Sequence, residues 1–145
     1  MKRLRVCKLG VVVGAALAAV TLPSLAHHSF AAEFDSQKPI TVTGTVTKVE
    51  WTNPHVWIYL NVKDKATGQV TNWGFEMGPP HGLQRRGWRR ETLKLGDEVT
   101  VAGSLAKNGA KRMNARTVTL TTTGGRPGET LDAQSSQGGA VIDQA

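Results

Sequence analysis

Residues 40–62, ITVTGTVTKVEWTNPHVWIYLNV, decide the fold class of this chain. Ile40, Val42, Gly44 and Val46 alternate with Thr41, Thr43, Thr45 and Thr47, the period of two that gives a strand one buried face. Val49 and Trp51 carry the apolar positions on the opposite parity, so an extra residue near Lys48 is read as a β-bulge. Asn53-Pro54 marks a turn. Beyond it Val56, Ile58, Leu60 and Val62 are expected to face a core. His55, Trp57, Tyr59, Asn61 and Lys63 are then expected to face outward.

The pattern extends downstream. Val70 to Met77 reads as a third strand with Trp73, Phe75 and Met77 on one parity, ended by Gly78-Pro79-Pro80. From His81 to Arg90 there is room only for a short helix or turn, because Gly82 and Gly87 bracket the segment. Leu95-Gly96-Asp97 turns into a fourth strand, Glu98 to Leu105, and Asn108-Gly109 is a hairpin signal leading to a last strand from Arg112 to about Thr122. Three strands, a short helical connection and a hairpin of two more predict an all-β domain at residues 40–123, a small five-stranded OB-like barrel. A β-sandwich or an open curled sheet has the same strand order, since periodicity does not report closure. Residues 27–39, polar and aperiodic, are expected to form an extended arm. Residues 124–145, rich in Gly, Ser, Gln and Ala, are expected to be disordered.

Upstream of the arm stand the three parts of an export signal: basic residues at the start, an apolar run from Leu9 to Leu22, and small residues Ser24 and Ala26 before a cut. Cleavage is expected between Ala26 and His27, making residues 1–26 a signal peptide and the mature protein periplasmic or secreted. The apolar run falls short of the roughly 20 residues that span a bilayer, so membrane contact is expected only during export. The formal charge of +7 includes Lys2, Arg3, Arg5 and Lys8, which leave with the signal. The remaining excess is too small to argue for nucleic acid as a partner. The single cysteine, Cys7, leaves as well, which removes thiol nucleophiles and thiolate metal sites from the mature chain.

The segments HHSFAAEFD, TGTVTKVEWTNPHVWIYLNV, NWGFEMGPP, RRGW and LKLGDEVTVAG resemble the uncharacterised exported bacterial family called domain of unknown function 6152, over nearly all of residues 27–121. The NPH turn with its flanking tryptophans is the most specific part. The resemblance implies a small secreted all-β domain and brings no catalytic residues with it.

Two constellations point to binding. Cleavage after Ala26 would free the amine of His27 beside His28, and an amine with two imidazoles suits Cu(II), Ni(II) or Zn(II), with Cu(II) favoured by intrinsic affinity. His55, next to the Asn53-Pro54 turn, is the best third ligand, ahead of His81; copper is the cofactor this predicts. Adjacent histidines on an arm seldom complete a coordination shell unaided, and the plainer reading is that they only follow the cleavage site. The second constellation joins Trp51, Asn53, Trp57 and Tyr59 near the first turn with Arg86 and Trp88 in the later connection. Aromatics and arginines on an OB-like barrel predict a site for an envelope glycan or other small ligand; the plainer reading pairs the aromatics with neighbouring strands. No Ser-His-acid set or phosphate-binding glycine loop stands out, and nothing in the spacing selects Glu50 and Glu76 as a pair, so a non-enzymatic protein is expected.

Overall fold

The computed structural model describes residues 30–121 and 128–134. The expected signal peptide at 1–26, His27 and His28, and residues 124–127 and 135–145 of the expected tail lie outside the described residues. Within them the order is α1 (Phe30–Glu33), β1 (Phe34–Glu50), β2 (Trp57–Lys63), β3 (Val70–Glu76), α2 (Pro80–Arg85), β4 (Glu98–Ala106), β5 (Arg112–Leu120) and β6 (Thr130–Asp132).

The strands pair in the order β3-β2-β1-β4-β5-β6, and β3 also pairs with β5. That extra ladder closes β1, β2, β3, β5 and β4 into a ring, so the chain is the all-β, barrel-like domain expected from its order of strands and connections. The closing ladder is parallel and short, Gly74–Glu76 against Arg112–Asn114; every other pairing is antiparallel. The register of β1 on β2 slips between Val46 and Lys48, which leaves Thr47 as the bulged residue. Here the long strand bends from one partner to the next. A second tight point lies on β4, where a Cβ on Gly103 would stand 2.0 Å from the Asn114 carbonyl oxygen. Only a residue without a side chain lets β5 lie that close.

Val46, Val56, Ile58, Leu60, Phe75, Met77, Val99, Val101, Val118 and Leu120 fill the interior, with Leu83 of α2 and Trp88 closing one end. These are the inward parities of the sequence pattern, apart from Ile40, Val62 and Trp73, which are only partly buried. Among the described residues no helix is long and apolar enough to cross a membrane.

Two boundaries move. The arm expected at 27–39 is already structured from Phe30, and β1 begins at Phe34. Phe34 is 3% exposed, stacks on Phe30 at 5.9 Å and pairs with Ala106, while Lys107 N–H donates to the Glu33 carbonyl at 2.9 Å. The absence of period reflects a register shift between Asp35 and Pro39, not an absence of pairing. The tail expected to be disordered contains β6. It occupies the edge of β5 beyond the point where β3 departs, pairing Thr117, Val118 and Thr119, and it buries Leu131 and Ala133. A strip of open edge plus two small apolar side chains is enough to hold three residues in place.

Candidate functional site

The loop between β1 and β2 carries a cis Asn53–Pro54 peptide and is held against the end of β3. Val56 N–H donates to the Gly78 carbonyl at 3.1 Å, and Met77 N–H donates to the Val56 carbonyl at 2.8 Å. This pairing sets His55 beside Glu76, the last residue of β3, and the two side chains bond through His55 Nδ1 and Glu76 Oε1. Glu76 is 8% exposed. Burial pushes its carboxyl above the usual glutamate range; the facing His55 works against that rise, and the nearby Glu33 charge adds to it. His55 Nε2 makes no hydrogen bond to any described residue. A carboxylate on one ring nitrogen fixes the tautomer and leaves the other nitrogen's lone pair free to act as a ligand or base. One imidazole does not make a metal site: among the described residues no group of three or more His, Cys, Asp or Glu side chains could hold an ion.

Trp57 and Tyr59 lie on the outer face of β2, half-buried and stacked at 6.4 Å. Both lean over Gly74 of β3, where a Cβ would meet the Tyr59 ring at 3.4 Å and the Trp57 ring at 3.6 Å. Four half-exposed rings, Trp51, Trp57, Tyr59 and Trp73, each carry one of the chain's own cations. Arg112 Cζ sits 4.8 Å from the Trp57 centroid, Lys48 Nζ 5.4 Å from Tyr59, Lys111 Nζ 4.9 Å from Trp73 and Arg90 Cζ 6.0 Å from Trp51. Tyr59 Oη donates to Glu50 at 2.9 Å, and Glu50 also pairs with Lys48. The Lys48 contact and then the Tyr59 hydrogen bond hold the Glu50 carboxyl below its usual range. A ligand stacking on this face would have to displace a cation, at a cost of roughly 0.5–1 kcal/mol per exposed pair.

The aromatic constellation expected from sequence is not brought together. Trp51 packs toward Val49, Trp88, Arg90 and Leu93 at one end of the core, while Trp57 and Tyr59 face outward. Asn53 is exposed in the loop. Trp88, expected to stack on a ligand, is 1% exposed and donates its indole N–H to the Asp132 carbonyl at 2.7 Å. Arg86, expected beside it, donates to Gly82 O at 3.2 Å and Asp132 Oδ1 at 3.1 Å. Both residues serve the docking of β6, because the strand that the sequence hides needs partners.

The structure adds residues that sequence reasoning passed over. Arg112, at the start of β5, places a guanidinium nitrogen 3.8 Å from Glu33 Oε2 and sits over the Trp57 ring; it is also close enough to lower the Glu76 pKa. Glu33, at the end of α1, therefore lies in the same polar neighbourhood as the His55–Glu76 pair. One signal was available: Glu76 is the lone acid among Trp73, Phe75 and Met77 at a strand end.

A family model, described as a family of unknown function (DUF6152), matches residues 15–115. No curated protein matches the chain.

Proposed function

We propose, from the premise that the chain belongs to the DUF6152 family of unknown function, that it is an exported, non-enzymatic module that binds Cu(II). His55 would anchor the metal, and the processed terminus His27-His28 would supply the remaining nitrogens. The observation that carries this reading is the bond from His55 Nδ1 to buried Glu76, which leaves Nε2 without a partner among the described residues. Metal-bound histidines almost always have a carboxylate or carbonyl on the opposite ring nitrogen. An amine, imidazoles and no thiolate favour Cu(II) over the other divalent ions. Glu33, the last residue of α1, lies in the same polar neighbourhood as the pair and follows His28 by five residues in the sequence.

The test is a Cu(II) titration of the exported, processed protein, read by its visible d–d band and by nitrogen hyperfine structure in electron paramagnetic resonance. His55→Ala should weaken binding and remove one nitrogen from the spectrum, and one residue added before His27 should shift the band. A spectrum indifferent to both changes would refute the site.

A second reading, a module for an envelope glycan or other small ligand, draws on the Trp57–Tyr59 stack over Gly74. It requires Trp57→Ala to abolish ligand-induced tryptophan quenching while the protein stays folded.

A further inference from the structure

Beside Arg112 lies an open cavity of about 270 Å³, lined chiefly by Ala32, Glu33, Phe34, Lys107, Asn108 and Arg112. Its walls come from two parts of the chain that are stitched together. Lys107 N–H donates to the Glu33 carbonyl at 2.9 Å, and Lys107 Nζ donates to the Ala31 carbonyl at 2.6 Å. The β4–β5 hairpin and α1 therefore form one frame, and its shape does not depend on a ligand.

The donors on this frame outnumber its acceptors. A guanidinium has five N–H groups in one plane, and Arg112 Cζ lies over the Trp57 ring, 4.8 Å from its centroid, an attraction that needs no N–H···O bond from the fork. Glu33 stops at 3.8 Å from Arg112, an ion pair too long for a hydrogen bond. No hydrogen bond from the Arg112 guanidinium to any described residue satisfies the fork. Asn108 uses its carboxamide oxygen to accept from Ala110 N–H at 3.0 Å, which turns its NH₂ to other partners. Lys107 has two ammonium hydrogens left after its bond to Ala31. Two cations and an amide thus face one carboxylate across a space of small-molecule size.

We infer that this cavity is a binding site for a small carboxylate, held in bidentate fashion by Arg112 and supported by Lys107 and Asn108. A carboxylate presents two coplanar acceptors at the spacing of the guanidinium fork, which is why Arg, and not Lys, recognises it by shape as well as charge. Glu33 acts as the internal competitor, attracted to Arg112 and displaced when the ligand enters. The site borders the His55–Glu76 pair through Glu33 and Arg112 but draws on none of the residues proposed to bind copper, so it does not require the metal.

The experiment is an amide-resolved NMR titration of the metal-free protein with acetate, against chloride at equal ionic strength and against inorganic phosphate. Saturable shifts centred on Ala32, Asn108 and Arg112 with acetate alone are expected. Arg112→Lys, which keeps a cation for Trp57 and Glu33, should weaken binding about tenfold or more. Lys107→Met should weaken it less, and Glu33→Gln should tighten it. The same titration in His55→Ala should be unchanged, which separates this site from the copper reading. Shifts that do not saturate, match chloride, favour phosphate or survive Arg112→Lys would overturn the assignment. Weaker acetate binding in Glu33→Gln would overturn it too, and that variant and Lys107→Met keep the test decisive should Arg112→Lys fail to fold.

Discussion

The indole nitrogen of Trp88 donates to the backbone carbonyl of Asp132 at 2.7 Å, across 44 residues of sequence. Around this bond Gly78 N–H donates to the Ala133 carbonyl at 2.9 Å, Ala133 N–H donates to Arg116 O at 2.8 Å, and Arg86 reaches Asp132 Oδ1. A buried tryptophan must place its one polar atom somewhere. Here that requirement fastens a three-residue strand to the end of the core, so the ring serves both packing and the docking of β6.

Trp88→Phe should keep most of the packing and lose the hydrogen bond, with a cost of about 1–2 kcal/mol in urea denaturation. Amide exchange at Leu131 and Ala133 should accelerate more than exchange at Val101 or Val118. Trp88→Ala should cost about 3–5 kcal/mol, because it also opens a cavity in the core. Unchanged protection of Ala133 in Trp88→Phe would show that β6 is held by other contacts.

Gly103→Ala should be among the most damaging single changes. The added Cβ would lie 2.0 Å from the Asn114 carbonyl oxygen, and the obstacle is backbone that cannot swing aside. A loss of about 3 kcal/mol or more is expected, or failure to fold. Gly109→Ala is the contrast. A Cβ there meets nothing within 4 Å, and only the φ of +76 is strained, so the cost should stay near 1–2 kcal/mol. Equal thermal midpoints for the two variants would contradict this ordering.

The β2–β3 hairpin carries a pH-dependent element. Asp64 Oδ1 accepts from Thr67 N–H at 2.8 Å and Ala66 N–H at 2.9 Å, and the Thr67 bond, with smaller help from the others, holds its carboxyl below the usual aspartate range. Because the folded value lies below the unfolded one, this stabilisation is present above about pH 4 and disappears as pH falls through the folded value. Thermal midpoints of the parent and of Asp64→Asn should therefore differ at neutral pH and converge in acid. Curves that stay parallel throughout would rule out a contribution from Asp64 ionisation.

Glu76→Gln addresses the proposed copper site through the residue behind its ligand. Loss of the carboxylate should weaken Cu(II) binding by about 10–100-fold, since His55 loses the charged partner that orients its ring. Glu50→Gln is the control, because Glu50 bonds to Tyr59 and Lys48 instead, and it should leave copper affinity unchanged. An equal loss in both variants would indicate a general field effect and no specific positioning by Glu76.

Local order was legible along the chain because it is written at short range. The alternation of residues 40–46 and 56–62, the parity change at Lys48 and the Asn108-Gly109 turn each state a backbone geometry within a few residues. From these the strands, the bulge and the all-β class follow. The candidate site was only half legible: His55 could be singled out, but Glu76 lies at the end of β3 and meets it only once β2 and β3 are in register.

What the sequence determined by itself, then, is which residues form strands and which parity of each is apolar. The tertiary structure alone decided that Trp88 faces inward, that Thr130–Asp132 is a strand, and that His55 is paired with a buried carboxylate. Periodicity is a property of neighbours along one strand, whereas each of these outcomes depends on which distant edge or donor is left unsatisfied when the ring closes. That quantity has no local signature: a Thr-Leu-Asp triplet reads the same in sequence whether or not an open stretch of β5 awaits it.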